Sequence, residues 1–372
     1  MKMKTFLLED FYDKHEFSTP FPLSQSDCEA MTINELLTLE PGAQEAFMAS
    51  WLGYTEVQGG IALREKIAEL YEKSTPDDIL VHAGAEEAIY NFMRAYLKPE
   101  DHMIYMSPAY QSLYEVAASM QCEISPWQLR QEESGWEIEL DDLKALIKPN
   151  TRLLVINTPH NPTGYCLSDE KLQAIVSLAK ERNIFIFCDQ VYKGLERDNQ
   201  KHSWLSDLYE NSLSLGVMSK AYGLPGLRIG WIATRNKEVY HKMLHYKYYT
   251  TICSSAPSEF LAMVALKHKD IILKRNLSIV KENLAIADAF FIKYQEVFKN
   301  NVPSAGPIAL HKLKLSDSIS KFCDMLIEKK GVLLLPGNVY EMSGNYFRMG
   351  YGRKSFKEGL LKLEEYLEEN YR

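Results

Sequence analysis

A lysine set just before a glycine- and proline-rich turn is the first residue here that could do covalent chemistry. It lies in Ser219-Lys220-Ala221-Tyr222-Gly223-Leu224-Pro225-Gly226-Leu227-Arg228, with an arginine eight residues on. Desolvation and nearby cations lower the pKa of a lysine in a cleft. Its amine can then form a Schiff base with a carbonyl, and Arg228 could hold an anion nearby. The plain alternative is a surface lysine beside a turn, since turns of this composition are common. Asp189 ends the apolar run Ile184–Asp189 (IFIFCD). A carboxylate there needs a partner, a backbone amide or an arginine being the plain choices. Arg348 lies inside the apolar Tyr346–Met349 segment and must also be paired, an internal Asp or Glu being the plain choice.

Several turns carry weaker signals. Asn161-Pro162-Thr163-Gly164 follows the apolar run Arg152–Asn157. In a doubly wound sheet such strand ends form the ligand crevice. Gly84, Ala85 and Glu86 precede a helical pattern, and small residues at a helix start leave N–H groups open to phosphate. Tyr110 follows Ser107-Pro108-Ala109, where an aromatic most often packs.

The elements that must position these residues alternate. Apolar strands are expected at His102–Met106, Arg152–Asn157, Ile184–Asp189, Ser212–Ser219 and Ile229–Thr234, with helices at Ile61–Lys73, Glu86–Leu97 and Ser168–Arg182 between them. That order predicts an α/β fold with a mainly parallel sheet flanked by helices. After a polar connector at Tyr248–Ser258, long helical stretches through Phe298 and short strands at Ile308–Leu315, Val332–Leu335 and Tyr346–Met349 predict a smaller α+β C-terminal domain, closed by a helix at Ser355–Glu369. The expected division is an arm at 1–45 packing with the small domain, a large domain at 46–250 and the small domain at 251–372. The first forty or so residues are punctuated by Pro20, Pro22 and Pro41 and read as irregular.

Composition removes other classes. The chain has 372 residues, 46% hydrophobic and 25% charged, with a net charge of −8. These are globular values, and the acidic balance argues against nucleic-acid binding. No apolar run approaches the ~20 residues that cross a bilayer, and no signal peptide is visible, so the cytoplasm is the expected location. The six cysteines form no CxxC pair and the nine histidines no HxxxH or HExxH pair, so neither a disulfide framework nor a metal site is expected. No GxGxxG follows the first strand, which disfavours a dinucleotide-binding protein.

The Ser219–Trp231 segment resembles the cofactor-lysine motif of class I/II aminotransferases, the fold type I pyridoxal-phosphate (PLP) enzymes. The resemblance runs from about Gly53 to Arg353, with motifs in family order. It implies that Lys220 carries PLP, that Asp189 pairs with the ring nitrogen, and that Asn161 and Tyr192 bond the ring oxygen. Tyr110 would stack on the ring. Gly84, Ala85, Glu86, Ser219 and Arg228 would hold the phosphate, although Val217 stands where many members have a phosphate-binding serine. Arg348, with Asn161, would bind the substrate α-carboxylate. Gly53–Arg64 is similar to a family signature in which Tyr54 reaches the neighbouring subunit's phosphate, implying a homodimer. The implied activity is transamination between an L-amino acid and a 2-oxo acid.

The arm, Pro22-Leu23-Ser24-Gln25-Ser26-Asp27-Cys28-Glu29, is shorter than the usual glycine-containing loop. It looks like that of capreomycidine synthase-like members, which process arginine. That keeps open β-elimination or cyclisation of arginine-like amino acids, with Asp27 and Glu29 facing a cationic side chain. Cys253, Ser254 and Ser255 could line the site from the connector. A non-catalytic PLP-binding regulator is the reading from another class. It is disfavoured because the residues before Tyr54 lack a basic helix-turn-helix pattern.

Overall fold

The computed structural model describes residues 3–371 apart from Ser134, Asn199 and Lys201. Phe185–Asp189 and Ser212–Val217 are buried at every position, as parallel strands covered on both faces must be. They lie at the centre of a seven-stranded sheet. Its order is Ile79–His82, Gly230–Ala233, Ser212–Val217, Phe185–Asp189, Thr151–Asn157, His102–Ser107 and Glu123–Gln128. Gly230–Ala233 runs antiparallel to both its neighbours, and the other pairs are parallel. The expected mainly parallel α/β sheet is present.

Successive side chains of a strand face opposite ways. Phe185 and Phe187 therefore pack on one face with Phe92 and Met243 from the helices Ala85–Tyr96 and Lys237–Lys247. Ile186 and Cys188 pack on the other with Ile175 and Ala179 of the helix Asp169–Arg182. A four-stranded antiparallel sheet comes next, in the order Phe298–Lys299, Ile308–Leu313, Tyr346–Gly350, Leu335–Pro336. Phe298, Phe322, Phe347 and Leu363 are among its core residues.

Four expectations shift. The first forty residues are not irregular: α1 spans Leu7–His15, and short helices follow at Ile33–Leu37 and Ala43–Met48. α1 buries Leu8 and Tyr12, four residues apart on one face. Its first turn carries Glu9 and Asp10, and its last Lys14 and His15, matching the helix dipole. The helix from Ile61 stops at Ala68 instead of Lys73, because the Asp207 carboxylate takes the amides of Glu72 and Lys73 at 3.0 and 2.9 Å. The long helical stretch splits at His268 and ends at Lys293, and Phe298 becomes an edge-strand residue paired with Leu313. Val332–Leu335 divides into two strands. Val332–Leu333 runs parallel to Phe21–Pro22 of the arm, and Leu335–Pro336 antiparallel to Tyr346–Gly350.

Candidate active site

Asn157, Asp189 and Leu215 are register neighbours on adjacent parallel strands, so the turns beyond them emerge together at one sheet edge. There a cavity of about 510 Å³ opens between that edge, the C-terminal sheet and α1. Such a volume suits a small molecule. The Asn157 side-chain amide donates to the Asp189 carbonyl at 3.0 Å, and its oxygen accepts from the Asn161 amide at 2.6 Å. One side chain thereby fixes the turn carrying Asn161 against the strand carrying Asp189.

Asp189 is 6% exposed, and its carboxylate accepts the Val191 amide at 3.2 Å. It forms no ion pair among the described residues. Burial pushes it up to about 7, against the Val191 amide and the Lys220 charge, which pull it down. The Tyr192 hydroxyl is buried without a well-formed hydrogen bond, and Ser26 is the hydroxyl facing it.

Lys220 follows the strand Ser212–Val217, in a turn closed by Leu224 N–H to the Met218 carbonyl at 2.9 Å. Its Nζ donates to Ser26 Oγ at 2.9 Å. Loss of hydration lowers its pKa. The charge of Asp27 opposes that most, and Arg348 adds to the lowering. A lysine so placed is a better base and nucleophile at neutral pH.

Gly84 has φ +86° and opens the helix Ala85–Tyr96. A Cβ there would collide with the Arg228 guanidinium, so the missing side chain makes room for a cation over the helix start. Arg228 Nη1 donates to the Pro225 carbonyl at 3.1 Å and lies 3.4 Å from Ser219 Oγ. Ala85, Glu86 and Val217 line the same end. Glu86 accepts from the Ser112 hydroxyl at 3.1 Å. Its surface opens into the cavity, and removal from bulk water pushes it up to about 7, with Glu9 and Asp189 adding to the rise.

Arg348 is 1% exposed, yet no Asp or Glu pairs with it among the described residues. Nε and Nη2 donate to the Ser24 carbonyl at 3.1 and 2.8 Å, and Nη2 also to Tyr12 Oη at 2.6 Å. Nη1 donates to Asn161 Oδ1 at 3.1 Å and to the Tyr340 hydroxyl. The expected internal acid is replaced by neutral acceptors, which leaves the buried positive charge without a counter-ion.

The structure thus gathers Lys220, Asp189, Tyr192, Asn161, Ser219, Arg228, Ala85, Glu86 and Arg348 at one cavity, with Gly84 just behind its wall beside Arg228. Tyr110 is there too, its hydroxyl donating to Glu9 at 2.8 Å and its ring 5.0 Å from Phe6. Tyr54 is not. It is 89% exposed, in a separate cleft with Leu52, Thr251, Cys253, Ser254 and Ser255. The connector residues therefore keep company with Tyr54 and do not line the cavity of their own chain. Asp27 lines the cavity but is committed, both its oxygens lying 2.8 Å from Arg353 Nη2, and Glu29 accepts the Lys354 amide at 2.9 Å. Neither is left facing a free cationic side chain. Besides Asp189, the acids that face the cavity without an ion pair among the described residues are Glu9 and Glu16 of the arm, with Glu86. Sequence reasoning missed Tyr12, Ser26, Asn157 and Tyr340. The asparagine ending an apolar strand ahead of a proline turn was a signal for Asn157. The other three come from distant segments and had none.

The family model for aminotransferase class I and II matches residues 21–356. Capreomycidine synthase of Streptomyces vinaceus is 28% identical over 97% of this chain and 93% of that protein. Aspartate aminotransferase of Thermotoga maritima is 28% identical over 89% and 86%. Among solved structures, a PLP-dependent aminotransferase from Streptococcus suis superposes with a TM-score of 0.93 at 30% identity, covering all of both chains. The PLP-dependent cyclase OrfR gives 0.91 at 26%, over 99% and 98%. The sheet arrangement is accordingly that of the fold type I enzymes. With the family model spanning most of its length, the chain belongs to the class I and II aminotransferases, a PLP-dependent family.

Proposed function

We propose that this protein is a PLP-dependent aminotransferase, moving an amino group from an L-amino acid to a 2-oxo acid. The observation that carries the reading is the convergence of a lysine, a buried carboxylate lacking a cation and a buried arginine lacking an acid on one cavity. The residues fit the cofactor. The unpartnered Tyr192 hydroxyl awaits an acceptor or donor, Asp189 lacks a cationic hydrogen-bond partner, and the Gly84–Arg228 cradle suits a phosphate.

When bound, PLP supplies an electron-accepting ring that stabilises negative charge at the substrate α-carbon. Asp189, ionised, would retain the proton on the ring nitrogen. Tyr192 and the Asn161 amide would bond the ring oxygen, and Tyr110 would cover the ring face. Arg228, Ser219 and the backbone amides of Gly84–Glu86 would hold the phosphate. Arg348 would take the α-carboxylate in exchange for part of its bonding to Tyr12 and Tyr340, orienting the α-carbon. The Lys220 amine would then remove the α-proton as base and return it as acid.

Two further features belong to this reading. Trp51, Leu52, Tyr54 and Tyr249 are each at least 80% exposed. Large exposed apolar groups close together favour a protein interface, and we assign them to a homodimer in which Tyr54 serves the neighbouring site. Among the described residues no helix is long and apolar enough to cross a membrane, and a cytoplasmic location suits the free thiols.

A second reading, elimination or cyclisation of an arginine-like amino acid, is favoured by Glu9, Glu16 and Glu86. These give the cavity an acidic wall that suits a cationic side chain. The deciding experiment is the visible absorbance of the PLP-loaded protein against a panel of single amino acids, with Lys220→Ala as control. A cofactor band that one amino acid abolishes and a 2-oxo acid restores supports transamination. Ammonia release with no restoration by 2-oxo acid supports the second reading. No band in the wild-type protein rejects both.

A further inference from the structure

Resting on the reading of Lys220 as the reacting amine, we propose that Ser26 is its positioning residue. The Oγ of Ser26, delivered by the N-terminal arm, fixes where the amine stands when it is free. A lysine amine is a point charge on a flexible four-carbon stem, with three donors that can turn to any acceptor. The hydrogen bond of Lys220 Nζ among the described residues goes to Ser26 Oγ at 2.9 Å, across 194 positions of sequence. No carboxylate lies within ion-pair distance of it among those residues. One hydroxyl therefore selects the orientation.

Ser26 can do so because its neighbours are immobilised. The Ser24 carbonyl accepts two bonds from Arg348. The Gln25 carbonyl lies so close to Gly350 that no Cβ fits there. Asp27 is paired through both oxygens with Arg353. The Cys28 amide donates to the carbonyl of Lys220 itself at 3.3 Å. Serines with a purely structural role usually bond local backbone. Ser26 instead directs its hydroxyl at Lys220 and faces the buried Tyr192 hydroxyl. A hydroxyl carries one donor and two acceptor sites, so accepting from Lys220 leaves Ser26 able to bond Tyr192 as well. The amine is thus held beside the residue expected to mark the cofactor's ring oxygen.

The test uses Ser26→Ala and Ser26→Thr with two readouts. In the cofactor-free chain, Lys220 acylation by acetic anhydride is followed against pH by mass spectrometry. An ammonium donates a stronger hydrogen bond than a neutral amine. Removing the acceptor should therefore lower the labelling midpoint by about half a pH unit in Ser26→Ala and leave Ser26→Thr close to wild type. In the PLP-loaded chain, Ser26→Ala should keep the visible cofactor band and a KM within about twofold. Its kcat should fall roughly tenfold and be restored by Ser26→Thr, because misplacing a reacting group penalises the step and not the binding. A labelling midpoint and kcat unchanged in Ser26→Ala overturn the proposal. So does a loss of kcat that comes with loss of the band or that threonine does not repair. A wild-type chain with no band overturns the Lys220 reading together with it, whereas a normal wild-type band beside an unaffected Ser26→Ala overturns the role of Ser26 alone.

Discussion

Two regions meet at the cavity by different physical routes. Asn161, Asp189 and Lys220 stand at or just beyond the ends of adjacent parallel strands, and the ladder between those strands sets their spacing. Glu9, Tyr12, Ser24 and Ser26 come from the N-terminal arm, which no strand of the large sheet holds in place. The arm is positioned by its pairing with Val332–Leu333, by Leu8 and Tyr12 packing on Leu333 and Leu335, and by polar contacts with Arg348, Arg353 and Lys220. The sheet edge therefore supplies geometry that persists without ligand. The arm supplies groups whose placement depends on side chains that a ligand would also contact. Substitutions at the edge should abolish chemistry, and substitutions in the arm should change which molecules react and how fast.

The largest effect tests the edge. Lys220→Ala should lower turnover on the order of 10⁴-fold, the upper range for loss of a positioned acid–base group, while the fold is kept. Circular dichroism with a turnover assay checks both halves. A Lys220→Ala protein that still turned over at a tenth of the wild-type rate would remove the sheet edge from the chemistry.

Arg348→Lys probes the point where the regions touch, since the guanidinium bonds both Asn161 of the edge and Ser24 of the arm. A lysine cannot reproduce the fork. Losing one charge-assisted bond to a carboxylate should raise KM for the amino acid by about 10- to 100-fold, with the cofactor band intact. A steady-state titration measures it, and an unchanged KM would show that the arginine serves only to dock the arm.

The arm on its own should give a smaller and more selective effect. Glu9 accepts the Tyr110 hydroxyl and faces the cavity without an ion pair among the described residues. Glu9→Gln should keep that bond and remove the charge. KM for arginine should rise by up to about tenfold and that for alanine should not move. Equal changes for both amino acids would make Glu9 a packing contact for Tyr110.

The edge also has a pH signature. The Asp189 carboxyl is pushed up to about 7 in the folded chain without cofactor, above its unfolded value of about 4. Folding then favours the protonated form, and the stability this gives is complete below pH ~4 and lost as pH rises through about 7. The cofactor-free melting temperature should fall across that window, and Asp189→Asn should flatten the fall. Glu86, also raised to about 7, leaves a residual slope. Saturating PLP should reduce the dependence, because a protonated ring nitrogen favours the ionised carboxylate. Thermal melts at a series of pH values check this, and identical slopes for wild type and Asp189→Asn would discount the carboxyl's burial.

The contrast also explains what could be read from sequence. IFIFCD and RLLVIN are short apolar runs that read as buried strands, and residues that end or follow such strands emerge at the ligand edge. Asp189 and Asn161 were legible for that reason, and Lys220 because the whole Ser219–Trp231 segment resembles the family's cofactor-lysine motif. α1 is nine residues long with no side-chain N-cap, and the prolines after it masked the helix. Ser26, Tyr12 and Tyr340 matter only through partners far away in sequence, so no local pattern marks them. The stop of the Ile61–Ala68 helix depends in the same way on Asp207.

The smallest expected effect concerns a group the edge lacks. Val217 ends its strand, is 3% exposed and lines the cavity at the end where Ser219 and Arg228 stand. A hydroxyl there would add a donor to the set proposed for the phosphate. Because the site is already formed, little further ordering opposes the new bond. Val217→Ser should tighten PLP binding by about 3- to 10-fold, the range of one net hydrogen bond. The gain is limited because serine gives up apolar packing beside Leu215 and Ile232, so stability without cofactor should drop slightly while affinity rises. Equilibrium titration of the cofactor-free protein, paired with a melt, separates the two. Weaker binding in Val217→Ser would mean that the phosphate end lies elsewhere in the cavity and that Val217 is simply part of the core.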